Sequence, residues 1–100
     1  MEKIQLEYMI QGVLDDKKKT EISNGSGDWY DSEEFRKDPM AMHKEGTKEA
    51  LKSIMLYYMC NIAEVHRVVV KVENDRYIDI TGPMLPFIKE NELMSLNNVL

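Results

Sequence analysis

From the third residue onward, hydrophobic and polar residues alternate along this chain. Ile4, Leu6, Tyr8 and Ile10 fall on one face, with Lys3, Gln5, Glu7 and Gln11 on the other. That period of two predicts a half-buried β-strand over 3–11. Gly12 breaks the alternation and reads as a β-bulge. Asp15-Asp16-Lys17-Lys18-Lys19 reads as a polar turn, after which Thr20–Ser23 returns as a short second strand. Asn24-Gly25-Ser26-Gly27-Asp28 reads as a loop on its composition.

Helix signals follow. Ser32-Glu33-Glu34-Phe35 offers a cap residue and early acids that suit the positive end of a helix dipole. Asp38-Pro39 is a second start signal, and Gly46-Thr47 is either a break or a tolerated weak point. The strongest helical element is expected from Thr47 to Glu64, with Ala50, Leu51, Ile54, Met55, Tyr58 and Ile62 forming one apolar stripe. Its opposite side begins with Lys48, Glu49, Lys52 and Ser53 but continues as Leu56, Tyr57, Met59, Cys60 and Ala63. A helix that is apolar all round needs cover on both sides. Leu56, Met59, Cys60 and Ala63 are therefore expected to form a homodimer interface.

Val65–Glu73 is rich in β-branched residues and predicts a strand, returned through Asn74-Asp75-Arg76 to a second strand over Tyr77–Thr81. A three-residue loop sets Val72 opposite Ile78, Val70 opposite Ile80 and Lys71 opposite Asp79, keeping apolar and charged residues on separate faces. Gly82-Pro83 ends that strand, and Pro86 opens a final helix through about Met94. The expected order is β-β-α-β-β-α. This is one α+β domain over residues 1–100, an antiparallel sheet of two hairpins with a long central helix on one face.

Composition narrows the setting. The chain has 100 residues, 43% hydrophobic and 31% charged, which suits a folded domain rather than a disordered segment. No apolar run approaches the ~20 residues needed to cross a bilayer. The opening MEKIQLEYMIQ lacks the continuous apolar stretch of a secretory signal. Cys60 is the only cysteine, so no internal disulfide forms, and a cytoplasmic location is expected. A net charge of −5 argues against nucleic acid as the main partner, because phosphate binding favours a basic surplus. Only Arg36, Arg67 and Arg76 could grip phosphate in a bidentate way.

The chain offers little that reads as reactive chemistry. His43, His66 and Cys60 do not have zinc-ligand spacing, so no metal or other cofactor is expected. Cys60 and His66 lie six positions apart, but a thiol among Tyr57, Tyr58, Met59 and Ile62 reads as inert. The glycine pair at 25 and 27 lacks the frame of a phosphate-binding loop. Lys17-Lys18-Lys19 reads as solvated charge. With no nucleophile–base pair to assemble, an enzyme is not expected.

What remains is Asp28-Trp29-Tyr30-Asp31-Ser32-Glu33-Glu34-Phe35, an acidic run around the only tryptophan. One reading has Trp29 and Phe35 stapling this segment onto the core. The other has Asp28, Trp29, Tyr30, Asp31, Glu33 and Glu34 forming an interaction patch, its aromatic anchors steered by acids towards a basic partner surface. The expected function is therefore a non-catalytic protein-binding module, an inhibitor or regulator. In size, charge and lack of motif the chain resembles in kind the small inhibitor proteins of phages and mobile elements, including anti-CRISPR proteins. No residue pattern carries that resemblance, so it assigns no functional residues. The alternative is a small-ligand or nucleotide-binding protein with its site at a homodimer interface. It would use Lys17–Lys19, Arg67 or Arg76 against phosphate and a tyrosine or Trp29 against the base.

Overall fold

The computed structural model describes residues 2–15 and 21–100, and for 21–26 the backbone alone. Asp16–Lys19 and Thr20, the expected turn and the first residue of the expected second strand, lie outside the described residues. The chain is α+β. Its elements are β1 (Lys3–Leu14), β2 (Glu21–Asp31), α1 (Ser32–Lys37), α2 (Pro39–Tyr58), β3 (Ile62–Val72), β4 (Arg76–Asp79), α3 (Thr81–Glu90) and α4 (Leu96–Val99). The four strands form one antiparallel sheet in the order β2-β1-β3-β4. The expected order β-β-α-β-β-α is thus corrected to β-β-α-α-β-β-α-α, with a short helix added beside each long one.

The alternation in β1 does what a period of two requires. Leu6, Tyr8, Ile10 and Leu14 are buried with Val68, Val70 and Val72 of β3. Ala50, Leu51, Ile54 and Met55 of α2 complete that core with Met84 and Ile88 of α3. The odd-numbered face stays open, with Gln5, Glu7, Gln11 and Arg67 exposed and Met9 and Val69 half-buried. Gly12 does mark a bulge. The β1–β3 register shifts between Gln11 and Gly12, where the strand backbones close up. A Cβ on Gly12 would overlap the Glu64 carbonyl oxygen and lie 3.1 Å from the Glu64 carbonyl carbon, so only glycine fits.

Residues 24–28 are not a loop. They belong to β2, with Asn24, Gly25, Ser26, Gly27 and Asp28 facing Ile10, Met9, Tyr8, Glu7 and Leu6. The long amphipathic β1 offers a full ladder of backbone partners, and that pairing overrides the turn propensity of Asn and Gly. Asp31 rather than Ser32 caps α1, accepting hydrogen bonds from the Glu33 and Glu34 amides at 2.9 and 3.1 Å. Asp38-Pro39 starts α2 as its residues suggest, with Asp38 accepting from the Ala41 amide at 3.1 Å.

The central helix is displaced from its expected span. It runs through Gly46 and stops six residues before Glu64, at Tyr58, where Met59 takes a left-handed conformation with φ of 54°. Ile62 and Ala63 already belong to β3. The β3–β4 register is slipped by two from the expected one: Val72 faces Arg76, Val70 faces Ile78 and Lys71 faces Tyr77. An even slip leaves each side chain on its expected face. The turn is set by Asn74 and Asp75, both at positive φ, a conformation those residue types tolerate. Ile80 then leaves the strand as a buried residue whose amide donates to the Val68 carbonyl. The Thr81 hydroxyl accepts from the Val68 amide at 2.9 Å, and Asp79 accepts from the Thr81 amide. The last long helix therefore begins at Thr81, five residues before Pro86. Gly82-Pro83 opens its first turn instead of ending a strand, since proline loses no hydrogen bond there.

Candidate functional site

The acidic-aromatic segment is the end of β2 and the start of α1, and the pleat of β2 divides it. Trp29 faces Gln5 on the open side of the sheet and is 57% exposed. Tyr30 turns to the other side, where its ring meets Tyr8 edge-on at 6.3 Å between centroids. Asp28 is exposed on that same side of β2, opposite Leu6. Glu33 and Glu34 are exposed on α1, and Asp31 is occupied as its cap. The tryptophan therefore does not staple the segment to the core. Tyr30 and Phe35 pack against the core from this segment.

Under Tyr30 lies a buried polar contact. The Tyr8 hydroxyl and His43 Nδ1 are 3.0 Å apart, and the His43 ring is held edge-on between Tyr8 and Phe35 at 5.8 and 5.6 Å. Burial pushes the Tyr8 phenol well above its ordinary range, with Tyr30 adding to the shift, and it pulls His43 below the usual imidazole value. The imidazole is therefore neutral, sharing one hydrogen between its Nδ1 and the phenol oxygen. Gly46, one turn along α2, leaves the space into which the Tyr8 ring fits. His43 was accessible to sequence reasoning, because the sequence 43, 46, 47, 50, 51, 54, 55 is one unbroken helical stripe. An expected helix start at Thr47 left His43 outside the stripe.

Tyr30 also gathers the local charge. Its phenol is raised first by burial, then by Asp28 of β2 and by Glu49 and Glu45 of α2. The field of three carboxylates from two elements thus reaches one half-buried phenol. Lys44, by contrast, reaches 5.6 Å from the Phe87 ring of α3. The lysines at 44, 48 and 52 follow one i, i+4 line along α2, and Glu45 and Glu49 follow the next. Glu45 and Glu49 thus lie toward β2 and Lys44 toward α3.

The residues expected at a homodimer interface run from the last turn of α2 into the start of β3. Leu56 is exposed near its last turn, beside Tyr57 and Tyr58, whose rings meet edge-on at 4.9 Å. Met59, the cap residue, is 72% exposed. Cys60 is half-buried against the core, and Ala63 is exposed on β3. Of the cations considered for phosphate, Arg67 is bonded to Asp79 at 3.1 Å and Arg76 is exposed at the start of β4. Lys17–Lys19 lie outside the described residues. His66 bonds Glu64 at 2.8 Å on β3. Among the described residues no group of three potential ligands could hold a metal ion. No helix among them is long and apolar enough to cross a membrane. No family model, curated protein or solved structure matches the chain.

Proposed function

We propose that this chain is a non-catalytic protein-binding module, an inhibitor or regulator, that covers a basic surface of its target with the acidic edge formed by β2, α1 and α2. The observation that carries this reading is that Asp28, Glu45 and Glu49 are exposed and that their negative field reaches the half-buried Tyr30 phenol. A half-buried tyrosine on a rigid strand is an anchor that loses little entropy on binding, and the acids around it steer a cationic surface. Glu33 and Glu34, exposed on the adjacent helix, extend the acidic field. Trp29 is no longer part of this patch, because it faces the opposite side of the sheet.

The test is a comparison of target recovery by wild type and by Asp28→Lys/Glu49→Lys from a lysate of the native host. Both substitutions are at exposed positions, so the fold is retained. Recovery that is salt-sensitive for wild type and at least about tenfold lower for the variant supports the reading. Equal recovery refutes it. A parallel titration with mixed nucleotides leaves the melting temperature unchanged. A rise of several degrees would replace this reading with nucleotide binding, because a ligand of the folded state raises stability.

A further inference from the structure

We infer that the open face of the sheet is a self-association surface, on which a second copy of this chain stacks sheet against sheet. The order of residues across the four strands makes this face self-complementary. One row reads Gly27, Glu7, Lys71, Tyr77 from β2 to β4, and the next reads Gly25, Met9, Val69, Asp79. A two-fold axis lying in the interface along the strands, between β1 and β3, reverses each row onto itself. Glu7 then meets Lys71 of the second copy, Lys71 meets its Glu7, and Met9 meets its Val69. Tyr77, 59% exposed, descends onto Gly27, which offers no side chain to block it. Hence the row is complementary to its own reversal in charge at the centre and in shape at the rims.

Charge also selects this axis over the other one. A two-fold axis across the strands would set Lys71 against Arg67 of the second copy, because these residues lie on β3 either side of Val69. Like charges in contact oppose that arrangement. The face differs from the rest of the chain in its balance. The net charge is −5, yet here Lys71, beside Glu7 in the same row, pairs with Asp75 at 3.3 Å and Arg67 holds Asp79 at 3.1 Å. A second acidic copy is therefore accepted here without the repulsion that the β2–α2 edge would impose. The centre, Met9 and Val69, is only half-buried in the single chain and lines a hollow with Tyr77 and Arg67.

The size sets the strength. Four strands about 4.8 Å apart and about five residues long give roughly 330 Å² in projection. That is below the ~800 Å² per partner of a standard interface, so the pair is a weak, concentration-dependent one. Stacked sheets lie about 10 Å apart with strands inclined by about 30°, which leaves room for one interdigitated layer of these side chains.

The experiment is sedimentation or light scattering of the whole chain over a range of concentrations. Wild type approaches twice 11.7 kDa as concentration rises. Glu7→Lys and Lys71→Glu each place like charges in contact twice across the axis and raise the dimer dissociation constant at least about tenfold. The double swap Glu7→Lys/Lys71→Glu restores the pairs and the dimer. Circular dichroism confirms that each variant is folded. A wild type that stays monomeric at every concentration overturns the proposal, as does a dimer indifferent to the single reversals or a double swap as weak as either single. A dimer dissolved by Met59→Glu but not by Glu7→Lys also overturns it, placing self-association at the end of α2.

Discussion

Gly46→Ala sets helix propensity against packing, and the structure decides the sign. In an exposed helix interior the substitution stabilises by about 1 kcal/mol, because alanine loses less backbone entropy than glycine. At position 46 the added carbon would lie 2.5 Å from Tyr8 Cζ and closer still to Cδ2 and Cε2. Carbon atoms pack at about 3.5–4.0 Å, so either the ring or the helix must retreat by more than about 1 Å. The ring has nowhere to go. Tyr8 is 0% exposed, bonded to His43 at 3.0 Å and backed by the Tyr30 ring. Overpacking at such a site costs up to about 3 kcal/mol, and loss of the buried hydrogen bond adds about 1. Set against the gain of about 1 kcal/mol from propensity, the net loss is about 3 kcal/mol.

For a domain of this size that loss lowers the melting temperature by roughly 12–24 °C. Thermal melts followed by circular dichroism, with urea unfolding for the free energy, measure it. The same substitution in a Tyr8→Leu background removes the collision. There, Gly46→Ala is expected to be neutral or to stabilise by about 1 kcal/mol. A Gly46→Ala variant as stable as wild type or more so, with Tyr8 intact, would refute the packing argument.

Three further substitutions probe the same region. Thr47 Oγ1 is buried with no hydrogen-bond partner among the described residues. Thr47→Val removes that unsatisfied group and is expected to stabilise by about 1 kcal/mol in urea unfolding; a loss of stability would mean that the hydroxyl has a partner. Asp38→Ala removes the cap of α2 and is expected to cost about 1 kcal/mol in the same assay, whereas Asp38→Asn retains most of it. His43, whose imidazole is lowered by burial, is neutral in the fold and takes up a proton on unfolding below about pH 6.5. Its contribution is fully present above that pH and is lost as pH falls through the unfolded value towards the depressed folded one. Wild type should therefore lose more stability between pH 7 and pH 5 than His43→Gln does, and parallel pH profiles would contradict this.

The elements legible in the sequence are those whose own side chains encode the burial. β1 is written in its alternation, and Gly12 marked the bulge because the pattern breaks where the backbone closes up. Asp38-Pro39 marked the start of α2 because the cap is local. β2 was legible only at its start, in the short strand expected over Thr20–Ser23; its continuation through 24–28 was not, since glycines carry no hydrophobic signal and the strand state there comes from pairing with β1. The end of α2 was missed for the opposite reason. Tyr57, Tyr58 and Met59 continue the apolar pattern but remain exposed, so hydrophobicity there does not record core contact. The β3–β4 hairpin kept its faces but not its register, because an even slip is invisible to alternation and only the positive-φ residues Asn74 and Asp75 fix the turn. The candidate site was legible in composition but not in geometry.

That geometry turns one acidic-aromatic segment into two surfaces. Trp29 and Tyr30 are neighbours in sequence, and the pleat of β2 sends one to the open sheet face and the other to the acidic edge. The two proposed roles therefore separate at a single peptide bond. In the stacked dimer Trp29, at the rim beside Gln5, lies over the β3–β4 turn of the second copy and loses water. Its fluorescence should shift to shorter wavelength as concentration rises, and Glu7→Lys should abolish the shift. Tyr30→Ala should leave that transition intact while lowering target recovery, because its ring belongs to the acidic edge. If Trp29→Ala and Tyr30→Ala lowered target recovery equally and neither touched self-association, the segment would act as one surface and the division by the strand would have no functional consequence.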